Sequence, residues 1–134
     1  MVRQDKITFL ITFFQSECNT LNSQTSIEKW YSNYEFPKYS FPDFCSQYLS
    51  NSDIFYGNII NTRVLYRIGV LFNFDLCKTN KLMTEFIPVN RHFFLYANID
   101  KFGSEFCTAL MPLCNDCKLS EICDYFNNKN IWKE

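Results

Sequence analysis

Glycine is scarce in this chain, with three in 134 residues, and proline is hardly commoner, with four. A turn-rich β sandwich needs more of both, so the expectation is a mainly helical domain. A basic surplus is missing too, since the formal net charge is −1. A free-standing nucleic-acid-binding domain draws most of its affinity from phosphate contacts and carries an excess of lysine and arginine. The bulk charge therefore counts against strong autonomous DNA binding. No apolar run nears the ~20 residues that span a bilayer, so no membrane partner is expected. The short apolar stretch 7–14 lacks a small-residue cleavage site, which argues against a secretory signal. No phosphate-binding glycine loop, nucleophile elbow or pair of catalytic carboxylates is present.

What is there points to a packed domain. Hydrophobic residues make up 47% and aromatics 19%, too apolar a chain to stay disordered. The length suits one domain over residues 1–134, with no linker, repeat or low-complexity tract to divide it. Seven cysteines are many for this length. With no secretory signal the expected compartment is intracellular, cytoplasmic or nuclear. In a reducing compartment clustered cysteines read as metal ligands rather than disulfides.

Residues 5–17 form a continuous apolar segment whose periodicity fits a buried helix or a strand. Residues 19–26 are polar and loop-like, and Ser26 is placed to cap a helix carrying Trp30 and Tyr31. Pro42 opens a further helix that would run to about Asn51. The clearest helix spans Thr62 to Phe72, with Val64, Leu65, Ile68, Leu71 and Phe72 on one apolar face and Arg63 and Arg67 on the other side. Residues 75–81 read as a loop. Pro88 turns into another helix with Asn90 near its cap, and a short helix from Ser104 to Met111 delivers Cys107 before Pro112 ends it.

The chemistry sits in one run: Cys107-x6-Cys114-x2-Cys117-x5-Cys123, four thiols within 17 residues. Both structural zinc and iron–sulfur clusters take four thiolates. Zinc ribbons usually pair two Cys-x2-Cys knuckles, and only Cys114 and Cys117 make one here. A four-iron cluster is larger than one ion, so its ligands tolerate wider and uneven spacing. The spacing leaves both a 4Fe–4S cluster and Zn open, and a family resemblance in the flanking residues makes the cluster the leading reading. Cys18, Cys45 and Cys77 show no partner spacing and read as core residues.

The flanks narrow the choice. Gly103 stands four before Cys107, Pro112 two before Cys114, and Cys123 opens Cys-Asp-Tyr-Phe. With the cysteine spacing, these residues over 103–126 resemble the cluster loop that ends the endonuclease III superfamily of helix-hairpin-helix DNA glycosylases. The resemblance implies a helical fold closed by that loop, a 4Fe–4S cluster on Cys107, Cys114, Cys117 and Cys123, and DNA recognition in base-excision repair. Glycosylase or lyase activity would follow from it as well, but the positions that carry catalysis have no match. The glycine-rich hairpin turn and the nucleophilic lysine after it have no counterpart. The segment Ile87-Pro-Val-Asn-Arg-His92 is similar to the family's aspartate-bearing stretch, with Asn90 at the acid's place, and an amide cannot act as a carboxylate base. The first ligand loop, Thr108 to Leu113, has no charge where the family is basic, which favours packing against protein.

The remaining candidates have plain readings beside functional ones. His92 could be a ligand or an acid–base group, or a packed residue beside Phe93 and Phe94. Asp100 could stand in for the absent carboxylate, or serve a turn or cap. Trp30, Tyr31, Phe93 and Phe94 could stack on bases, or fill the core. Arg63, Arg67 and Arg91 could form a small basic patch, or a solvated face. A non-catalytic, metal-stabilised module that docks on a protein is the alternative function. A third is a fragment whose catalytic half lies in another chain.

Overall fold

The computed structural model describes residues 3–16, 55, 57–88 and 91–128, without the side chains of Cys77 and Phe93. The helices expected at 26–31 and 42–51, the loop at 19–26, and Cys18, Cys45, Trp30, Tyr31 and Asn90 lie outside the described residues, as do the Cys77 and Phe93 side chains. Among the described residues the fold is mainly helical: α1 (Gln4–Ser16), α2 (Ile59–Ile68), α3 (Leu76–Phe86), α4 (His92–Glu105) and the one-turn α5 (Asp124–Asn127), with a 3-10 turn at Cys114–Asp116 and no strand.

The ambiguous N-terminal segment is helical because one face can be buried at helical spacing. Ile7, Leu10, Ile11 and Phe14 fall at i, i+3, i+4 and i+7 and are all buried. Thr8 and Thr12, on the exposed side, donate their hydroxyls to the carbonyls of Gln4 and Thr8 at 3.2 and 3.1 Å, which keeps these β-branched residues compatible with the helix.

Helix α2 starts three residues earlier than its apolar pattern suggests and stops four sooner. Asn58 accepts from the Asn61 N–H at 2.9 Å, and Asn61 reaches back to the Asn58 N–H at 2.8 Å. This reciprocal box satisfies two orphan donors of the first turn. At the other end Gly69 takes φ +100°, a left-handed cap that glycine adopts at little cost. Leu71 and Phe72 therefore leave the helix: Leu71 still reaches the core, whereas Phe72 is exposed.

Two further expectations are corrected. Residues 75–81 are not a loop, because Asp75 nucleates α3. Its carboxylate accepts from the Lys78 N–H at 3.2 Å and its carbonyl from the Thr79 hydroxyl at 2.7 Å. There is also no separate helix from Ser104 to Met111. The helix that starts at His92 runs on to Glu105 and ends before the first cysteine. Pro112 thus sits in an irregular loop and terminates nothing.

Helix α2 is central, packing on α4, α3 and α5, while α1 packs on α4. Val64, Leu65 and Ile68 of α2 meet Leu95, Tyr96 and Ile99 of α4 within one core that also holds Leu119 and Cys123 from the cysteine loop. Gly103 lies where α4 crosses α2: a Cβ there would come within 2.6 Å of the Ile60 Cγ2 and 2.8 Å of the Val64 Cγ2. The close approach of the two helices is the physical reason for a glycine four residues before Cys107.

Candidate metal centre

Cys107 lies just beyond α4, and its N–H donates to the Phe102 carbonyl at 3.0 Å. A helix ending there leaves carbonyls without partners and a partial negative charge. Two arginines one turn apart on α2 meet both needs. Arg63 donates to the Gly103 carbonyl at 2.8 Å and to that of Cys107 at 3.1 Å. Arg67 donates to the Thr108 and Ala109 carbonyls at 2.7 and 3.0 Å, and one of its N–H groups lies 3.5 Å from the Cys107 Sγ. Its guanidinium also lies over the Tyr125 ring, 5.0 Å from the centroid.

This corrects the placement of both arginines on a solvated face. Arg67 is 1% exposed, and its charge is spent inside the protein. Arg91, the third member of the supposed patch, lies over the Phe94 ring at 5.8 Å.

The rest of the run is held by short local bonds. The Leu113 N–H donates to the Phe106 carbonyl at 2.9 Å and closes the first loop. The turn from Cys114 brings the Cys117 N–H to the Cys114 carbonyl at 3.1 Å, and the Leu119 N–H points at the Cys117 Sγ from 3.4 Å. Cys123 precedes α5, with its thiol donating to the Arg67 carbonyl at 3.4 Å. That bond exists only while Cys123 keeps its proton.

All four cysteines are free of disulfides. All four line one cavity of about 20 Å³, partly open to solvent, whose other walls include Ile68, Phe102, Phe106, Leu119 and Tyr125. Among the described residues, no three His, Cys, Asp or Glu side chains converge as a single metal ion requires.

Burial is the main influence on these thiols. It raises Cys107, against which the hydrogen bond and charge of Arg67 and the charge of Arg63 pull down. It raises Cys117, opposed by the Leu119 N–H and helped by the neighbouring Cys107 and Cys114. Cys123 is pushed up to about 11 by burial, with the backbone N–H groups of Phe126 and Tyr125 acting the other way. In the metal-free protein these three groups are neutral thiols at pH 7, and loading them would release protons.

The last part of the site was invisible in the spacing of the cysteines. Lys6, on α1, reaches across to the loop and places its three protons on three oxygens: the Ile68 carbonyl at 2.6 Å, the Ile122 carbonyl at 2.7 Å and the Asp124 carboxylate at 2.9 Å. Arg3 holds the other Asp124 oxygen at 2.9 Å. One residue after the fourth cysteine, Asp124 is thus pinned to the N-terminal helix. No local signal in the sequence could have paired positions separated by more than a hundred residues.

His92 and Asp100 are both placed away from this cavity's walls. His92 is 3% exposed, with Nε2 donating to the Thr84 carbonyl at 2.9 Å. Asp100 lies within α4 rather than in a turn, and accepts from the Asn58 side chain at 3.1 Å. Compared with known protein families, curated proteins and solved structures, the chain shows no match.

Proposed function

We propose that Cys107, Cys114, Cys117 and Cys123 hold a 4Fe–4S cluster that closes the helical domain as a structural clamp. The observation that carries this reading is that all four cysteines line one cavity. A cluster offers each thiolate its own iron, so its ligands tolerate wide and uneven spacing along the chain. When bound, the cluster would supply a covalent cross-link between the end of α4, the 3-10 turn and the start of α5. In an endonuclease III-like domain that clamp serves DNA recognition in base-excision repair, and this is the function we assign by resemblance.

Anaerobic purification with iron and sulfide assays tests the cofactor. The expected result is about four irons and four labile sulfides per chain, with visible absorption. A colourless protein with one zinc and no labile sulfide would refute it.

One observation favours a second reading, a module that docks on a protein. Leu110 and Met111 are 93% and 79% exposed and Leu113 is half-exposed, while Arg63 and Arg67 are turned inward. DNA binding that weakens steeply with salt supports the first reading; salt-insensitive binding to a protein through the loop supports the second.

A further inference from the structure

We infer that Arg67 is a positioning residue that tunes the redox chemistry of the cysteine site, holding a buried positive charge against its first ligand. The inference rests on the cluster reading above and goes beyond a clamp role. Arg67 is held against the first cysteine of the run. Its guanidinium lies 3.5 Å from the Cys107 Sγ. The Thr108 and Ala109 carbonyls and the Tyr125 ring hold the charged group in place. At 1% exposure, water does little to screen it.

A guanidinium keeps its charge at every accessible pH. A fixed cation and an N–H directed at a ligand sulfur both favour the state that carries one more negative charge. Charge and hydrogen bonds to sulfur are among the factors that set cluster potentials. Arg67 therefore raises the reduction potential, and does so without a coupled proton. In the titration one electron comes from a mediator poised at an electrode, and Arg67 neither gains nor loses a proton.

The test is a potentiometric titration of the anaerobic, iron-loaded protein and its Arg67→Met and Arg67→Lys variants. Arg67→Met should change the oxidised-to-reduced ratio at fixed potential about tenfold toward the oxidised form, ~59 mV for one electron. Arg67→Lys should recover more than half of the shift, which a role in packing alone would not do. Equal potentials in all three proteins would overturn the inference. If the variants fail to fold, the unaltered protein grown with 15N-arginine answers instead. Pulsed paramagnetic resonance of its reduced form should show 15N coupling to the cluster spin, and no coupling would overturn the proposal. A protein with no iron and no sulfide overturns both readings; a loaded protein with unmoved potentials overturns only this one.

Discussion

Replacing Lys6 by methionine keeps the aliphatic stem and removes the charged head. The Lys6 side chain is only 12% exposed, and its three acceptors differ in what they lose. Asp124 is 32% exposed and keeps Arg3, so its share is that of a surface pair, below ~1 kcal/mol. The Ile68 and Ile122 carbonyls lose a charged donor, and such bonds are worth about 1.5–3 kcal/mol each before any rescue by water. The two carbonyls give about 3–6 kcal/mol before rescue, and hydration of the freed carbonyls brings the net loss to about 2–4 kcal/mol. With a urea dependence of roughly 2 kcal/mol per molar, the unfolding midpoint should fall by ~1–2 M at equal cofactor occupancy. Asp124→Asn should cost no more than about 1 kcal/mol. A Lys6→Met loss under ~0.5 kcal/mol, the size of an ordinary surface substitution, would refute the idea that this lysine ties α1 to the cysteine loop.

Four more outcomes follow from the same geometry. Cys114→Ala should abolish cluster occupancy, read as lost iron and visible absorption; full retention would remove Cys114 from the ligand set. Gly69→Ala should cost at least about 2 kcal/mol by chemical denaturation, because the left-handed backbone penalises a Cβ and that Cβ would strike Asp124 and Lys6. Gly103→Ala should cost about 1–3 kcal/mol as α4 is pushed off Ile60 and Val64. Leu110→Ser with Met111→Ser should leave stability within about 0.5 kcal/mol, and should remove binding to a protein partner if the loop is a docking surface.

The helical class was legible because scarce glycine and proline leave few ways to build anything else. The central helix was legible from Val64, Leu65 and Ile68, but its end was not, because the apolar run continues past Gly69 into Leu71 and Phe72. Asp75 was read as loop polarity when its carboxylate starts a helix. The cysteine spacing pointed to residues that the fold does bring around one cavity. What surrounds them was misread in one respect: charge was taken as a sign of solvent. Arg63 and Arg67 answer to carbonyls left over at the end of another helix, and no pattern along α2 itself records that need. Lys6 shows the same limit, since its partners are set by the fold alone.

The clamp formed by Lys6, Arg3 and Asp124 has a consequence for synthesis. Helix α1 is made before the other described helices, yet Ile122 and Asp124, which hold it, are among the last described residues to be made. At about 5–20 residues per second, roughly 5–20 s separate the appearance of Ser16 from that of Asp124. Through that interval Ile7, Leu10, Ile11 and Phe14 have no finished core to enter. The nascent chain therefore carries an apolar helix without its partners until the cysteine loop emerges, and arrest of translation before Cys123 should leave a product that chaperones bind and proteases cut within α1.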